Sequence, residues 1–133
     1  MCDYILELDE DQLKHIAKAL DFYARIQTGQ LSELVNPYMV PLPNSDYTDV
    51  DEKVNALKKS MFPDLPDGAY YSIKSSYIPD EVRQIIDIYE VIRYHFILNN
   101  ENIDIEKEKK LKPINWSSEK TLPVLKKKGT END

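Results

Sequence analysis

Proline confines where this chain can be helical. Its eight prolines fall at positions 37, 41, 43, 63, 66, 79, 113 and 123. Each one lacks an amide donor and crowds the turn before it, so each ends a helix or sits in its first turn. The stretches left open are residues 1–36, 44–62 and 80–112. In the first, Leu13, Ile16, Ala17, Leu20, Tyr23, Ala24, Gln27, Leu31 and Leu34 recur at helical spacing. Asp9 and Gln12 make a capping box ahead of this run, which predicts a helix from about residue 9 to about Val35, with Gly29 a weak point inside it.

Pro37, Pro41 and Pro43 make residues 36–44 a stiff connector, and Ser45, Asp46, Thr48 and Asp49 then offer caps for a shorter second helix. Its apolar stripe is narrow, Val50, Val54, Leu57 and Met61, and Pro63 ends it. Pro79 with Asp80 and Glu81 opens a third helix, since proline and acidic residues both suit a first turn. Val82, Ile85, Ile86, Tyr89, Ile92, Phe96 and Ile97 form one face of it, and Asn99 and Asn100 end it.

Before the first helix, Tyr4, Leu6 and Leu8 alternate with polar or opposite-facing neighbours, the pattern of a short N-terminal strand or an extended arm. Beyond Glu101 the run EKEKKLK is polar and lysine-rich, with Trp116 and residues 122–125 as separate apolar points that dock on the body or on a partner. The expected architecture is therefore a mainly α, small helical bundle of two long helices and one shorter one. It forms one domain over residues 1–100, followed by a largely flexible, extended C-terminal tail over 101–133. A chain of 133 residues, 41% hydrophobic, is long enough for one such core.

Charge and composition exclude several classes. At −7 the chain lacks the basic face that nucleic-acid binding needs, and interleaved lysines argue against mimicry of DNA. The acidity lies in the helical part: residues 1–60 hold 11 acids and 6 bases, residues 101–133 hold 7 and 8. One cysteine, Cys2, cannot form an internal disulfide, and no apolar run has membrane length, so the expected location is the cytoplasm. Two histidines, His15 and His95, fall short of a zinc ligand set, and no metal or cofactor is implied. Cys2, Ser72, Ser75 and Ser76 are nucleophiles by type alone, without a glycine elbow or an activating histidine, so catalysis is not expected.

Two features point toward binding. At about 100° per residue, Ala19, Phe22 and Ile26 project opposite the main stripe of the first helix, and Ile88 and Val91 fall well off the main stripe of the third. Helices apolar on two sides are covered by their own chain or by a partner, so these five residues are the candidate partner-binding surface, for a second copy or for another protein. The second feature is the connection FPDLPDGAYYSIKSS over residues 62–76. Its Tyr70, Tyr71, Lys74, Ser75 and Ser76, with Tyr77 and with Arg93 from the third helix, make a candidate loop for a phosphorylated or nucleotide ligand at a helix N-terminus. The competing account is that the serines cap, Lys74 is solvated and Arg93 pairs with an internal acid.

The stretches DEDQLKHIAKALDFYARIQTGQLSEL, MFPDLPDGAYYSI and IIDIYEVIRYHF, spanning about residues 9–98, resemble small accessory proteins encoded by bacteriophages and prophages. The resemblance carries no catalytic residues. It implies a non-enzymatic factor in the host cytoplasm that binds host machinery, including antagonists of anti-phage defence: some block a protein, others sequester a nucleotide signal. The leading expectation is an inhibitor of a host protein, the alternative a ligand sequesterer, and the third a structural homo-oligomer.

Overall fold

The computed structural model describes residues 3–42, 46–99, 104, 106, 109 and 111–129. Helix α1 spans Glu10–Gln27, α2 Tyr47–Met61 and α3 Asp80–Leu98, with a 3₁₀ turn at Leu31–Val35. The bundle is mainly helical as expected, with two long helices and one shorter. Cys2, Pro43, Asn44, Ser45 and Asn100, and most of residues 101–110, lie outside the described residues.

No strand forms among the described residues, which corrects the strand alternative for residues 4–8. A lone extended segment has no second strand to take its amides and carbonyls, and Tyr4, Ile5 and Leu6 stand 92%, 93% and 73% exposed.

The capping box forms as read. Asp9 Oδ1 accepts from the Gln12 amide at 2.8 Å, and the Asp9 amide donates to Gln12 Oε1 at 2.9 Å. The other end of α1 departs from expectation, because the helix stops at Gln27 rather than running to about Val35. The Gln30 amide donates to Arg25 O at 2.9 Å and the Gly29 amide to Ile26 O at 3.1 Å. This is a Schellman motif whose left-handed residue is Gly29, at φ +98°. The glycine is therefore a stop signal, not a flaw in a longer helix.

Gly29 also marks where the connection packs. A Cβ there would sit 2.5 Å from Leu65 Cδ1 and 3.8 Å from Phe62 Cγ. Gly29→Ala is expected to lower stability by roughly 1–3 kcal/mol, from the forced positive φ and the displaced Leu65. Urea denaturation measures this directly.

Helices α1 and α3 pack against each other, whereas α2 reaches the body through the 3₁₀ turn. The core is small: Ala24, Leu31, Val54, Ile78, Val82 and Ile92 are its buried apolar residues. Asp46 is the α2 cap, accepting from the Thr48 amide at 2.9 Å. Val54 is buried, but Leu57 and Met61 are about half exposed, so only part of the α2 stripe is used.

A described part of the C-terminal segment returns to α3. Asp87, 2% exposed, accepts from the Trp116 amide at 2.8 Å and the Ser117 amide at 3.1 Å. Asp80, two turns earlier on the same face, accepts from Ser118 N at 2.8 Å and Glu119 N at 3.3 Å. These bonds hold the Asp80 carboxyl below its ordinary value, the Ser118 amide being the largest cause. A carboxylate with a depressed folded-state pKa contributes stability that is complete above the unfolded value of about 4 and is lost as pH falls through the lower folded value. Acidification below about pH 4 is therefore expected to loosen residues 118–119. Trp116 is the only tryptophan, so its emission should shift to the red, and Asp80→Asn should remove this acid step.

Candidate functional site

The residues of FPDLPDGAYYSIKSS are mostly occupied in holding their own connection together. The Ala69 amide donates to Pro66 O at 3.0 Å, closing a turn with Gly68 at φ +77°. Lys58 Nζ from α2 reaches Ala69 O at 2.6 Å, and the Tyr71 amide donates to Thr28 O at 2.8 Å. One arginine does most of the remaining work: Arg83 of α3 donates to the carbonyls of Ile73 at 2.8 Å, Ile78 at 2.9 Å and Ser75 at 2.6 Å. Phe62, Tyr71 and Tyr77 form an aromatic row, with centroids 6.2 Å and 5.2 Å apart. Ser72 Oγ accepts from the Lys74 amide and Ser75 Oγ from the Tyr77 amide, both at 3.2 Å. Ser76 is exposed, and Lys74 Nζ lies 5.7 Å from the Trp116 ring centre.

Arg93 is placed elsewhere. Its guanidinium donates to Glu90 through Nε at 2.9 Å and through Nη2, the internal pairing that the sequence offered as the competing account. Of the candidate ligand residues, Tyr70 and Tyr71 border one hollow along the seam between α1 and α3 and Arg93 borders another, two adjoining hollows that form the ends of one cleft, whereas Lys74, Ser75, Ser76 and Tyr77 border neither. One end, about 640 Å³, is bordered by Arg25, Thr28, Gln30, Tyr70, Tyr71 and Glu90, among others. The other end, about 450 Å³, is bordered by Lys14, Lys18, Tyr38, Met39, Arg93 and Phe96 together with Ala17 and Ile97. Asp21 and Tyr89 border both ends.

The two ends differ in charge. At the Tyr70 end, Asp21 and Glu33 hold Arg25 at 2.9 Å and 3.2 Å and favour its charged form, so this cation is neutralised. The Arg25–Glu33 pair ties α1 to the 3₁₀ turn, and at the end of that turn Asn36 Nδ2 also donates to Glu33 at 3.1 Å. Between the ends, burial first and then the charge of Asp21 push the Tyr89 phenol above its ordinary value, so it remains a neutral donor.

At the Phe96 end, Glu90 already pairs with Arg93, as Asp21 does with Arg25, so the positive charge left in the lining is that of Lys14 and Lys18. Rings hold both in place. Lys14 Nζ lies 5.5 Å from the centre of Phe96 and Lys18 Nζ 4.5 Å from the centre of Tyr38. The cleft therefore combines an apolar floor of Met39, Phe96 and Ile97 with ammonium groups already positioned at its rim.

The five partner-surface residues divide. Ala19 and Ile88 are exposed, Ile88 by 39%, whereas Phe22, Ile26 and Val91 are half-buried. Val91 is one turn beyond Asp87, on the side of α3 to which residues 116–119 return. Sequence reasoning missed Lys14 and Lys18 because a lysine pair four residues apart looks like an ordinary solvated face. It missed Tyr38 and Met39 because they fall in the proline-rich connector.

Among the described residues, no three His, Cys, Asp or Glu side chains converge as a metal site, and no helix is long and apolar enough to cross a membrane. His95 Nε2 lies 3.2 Å from Asn99 Nδ2, and His15 is exposed. No family model, curated protein or solved structure matches this chain.

Proposed function

We propose that this protein is a non-enzymatic binding protein that sequesters a small organic anion bearing a flat ring, such as a nucleotide, in the cleft between α1 and α3. The observation that carries this reading is the Phe96 end of the cleft, where Lys14 and Lys18, with the Glu90-paired Arg93 beside them, border a floor of aromatic and aliphatic side chains. Anionic groups meet the cations while a ring lies on the apolar floor, the division of labour common to small-molecule sites. The Tyr70 end supplies acceptors and hydroxyls for a polar body extending past Tyr89. This relocates the ligand from the loop that the sequence suggested, keeping Arg93, Tyr70 and Tyr71 from that set. The phage-type resemblance gives such capture a setting: an accessory factor that removes a signal molecule in the host cytoplasm.

Adenosine 5′-monophosphate and adenosine 5′-diphosphate, tested beside inorganic phosphate, separate ring recognition from bare charge. The expected result is thermal stabilisation by the nucleotides alone, equivalent to about 2.7 kcal/mol at roughly 100 times Kd. Lys18→Glu should abolish it. Equal shifts with inorganic phosphate, or shifts indifferent to Lys18→Glu, would overturn the reading.

A second reading, inhibition of a host protein by occlusion, rests on the exposure of Ala19 and Ile88. It predicts a complex broken by Ala19→Asp or Ile88→Asp but not by Lys18→Glu.

A further inference from the structure

Among the described residues, Tyr4 and Ile5 are the most exposed large apolar side chains. Tyr4, Ile5 and Leu6 are consecutive and almost wholly exposed, whereas large apolar side chains in contiguous runs are normally covered. An acid stands on each side of them, Asp3 and Glu7. Their ordered neighbour is the capping box of α1, whose Asp9 is held in extended backbone at φ −80° and ψ 174°. The arm thus leads into the helix without regular secondary structure and carries a pattern of acid, three apolar residues, acid.

The Phe96 end of the cleft has the converse pattern. Its floor is Met39, Phe96 and Ile97, and its rim is Lys14, Lys18 and Arg93. Both features are open, and each offers what the other lacks. We infer that the N-terminal arm of one copy of this chain docks in the Phe96 end of the cleft of a second copy, with Asp3 and Glu7 meeting the lysines and the Tyr4–Leu6 side chains covering the floor.

The exchange is reciprocal, because each copy has one arm and one cleft, and a twofold pair satisfies both. An extended arm covers roughly 3.3 Å per residue, which suits a groove running along two helices. The competing contact is slight: Glu7 meets Lys128 at 3.4 Å with both side chains mostly exposed, and such surface pairs contribute little. Arm docking and small-anion capture use the same cations, so each excludes the other from one cleft. The inference nevertheless stands without the small ligand, since it rests on the arm.

The test is solution mass by light scattering across a concentration series of the full chain, in low salt. The native chain is expected to rise from one chain toward two, and Ile5→Asp is expected to hold it at one. Charge reversal supplies the sharper arm. The double variant Asp3→Lys/Glu7→Lys and the double variant Lys14→Glu/Lys18→Glu should each remain single, while an equimolar mixture of the two should associate, because both arm-to-cleft contacts are then restored. All four positions are at or near the surface, and circular dichroism verifies that each variant is folded. A native chain that stays single at every concentration overturns the inference, as does a dimer that survives Ile5→Asp or a mixture that does not associate. Nucleotide stabilisation without dimers would remove the arm exchange alone, and because a docked arm competes for the cleft, it is the absence of nucleotide stabilisation in the single-chain Ile5→Asp variant that would remove the sequestration reading alone.

Discussion

Asp87→Ala is expected to cost about 2–4 kcal/mol and to release the C-terminal segment from α3, a large effect for one surface-distant carboxylate. Two limiting cases bound this cost. If residues 116–117 stayed in place, two amides would lose a charged acceptor, and an unpaired buried donor costs about 1–3 kcal/mol. Ser117 is itself buried at 7% exposure, so water reaches its amide poorly. If the segment instead leaves, its amides find water, but the coverage of α3 that it provided is lost. The smaller of these costs is the one observed, and release is favoured because only a short stretch must move. Trp116 reports the choice: red-shifted emission accompanies release, whereas unchanged emission with lowered stability means that the segment stays docked with unpaired amides. Asp87→Asn keeps one acceptor oxygen and should fall between the native chain and Asp87→Ala. A variant with native stability and native emission would show that the two hydrogen bonds contribute nothing net.

The sequence made some of this architecture readable and hid the rest for definite physical reasons. Local chemistry was the readable part. The Asp9 and Gln12 capping box, the Asp46 cap, the stop before Pro63 and the acidic first turn of α3 all involve residues within four positions of one another, and all appear in the structure. The end of α1 was misread because Gly29 has two local meanings: a weak helix former, or the left-handed residue of a C-terminal cap. What decides between them is Leu65 and Phe62 packing against its bare Cα, and they lie more than 30 residues away.

Long-range polar contacts were the unreadable part. Asp87 interrupts an apolar stretch of α3 and would be taken for a solvent-facing residue, yet it is among the most buried side chains. Nothing near it in the chain marks residues 116–117 as its partners. The cleft was hidden similarly. Lys14 and Lys18 come from α1, Arg93 and Phe96 from α3, and Tyr38 and Met39 from the connector. Their proximity depends on the antiparallel pairing of α1 with α3 and on the Schellman turn that sends the connector back alongside α1, so the site could be found only after the fold.

Arg83→Ala is expected to destabilise the protein by about 3 kcal/mol and to loosen residues 73–78 before the helices melt. Sequence reasoning selected Arg93 as the functional arginine because it lies beside Tyr89 and Phe96, but Arg83 is the one that organises the connection. Its guanidinium supplies three donors in a fixed fork, directed at the carbonyls of Ile73, Ser75 and Ile78. Alanine leaves those carbonyls to water where water can reach, but Ile78 is 2% exposed and its backbone is correspondingly difficult to solvate. Loss of the fork should also free Tyr77, which stacks on Tyr71 at 5.2 Å, and with it the wall of the cleft formed by Tyr70 and Tyr71. Hydrogen exchange is the decisive measurement: faster exchange at the Ser75, Tyr77 and Ile78 amides, with α1 unchanged, identifies local loosening. Arg83→Lys should recover only part of the stability, because one ammonium cannot meet three carbonyls set around a planar fork. Full recovery by lysine would mean that charge, not fork geometry, holds the connection, and unchanged exchange in Arg83→Ala would mean that the aromatic row holds it alone.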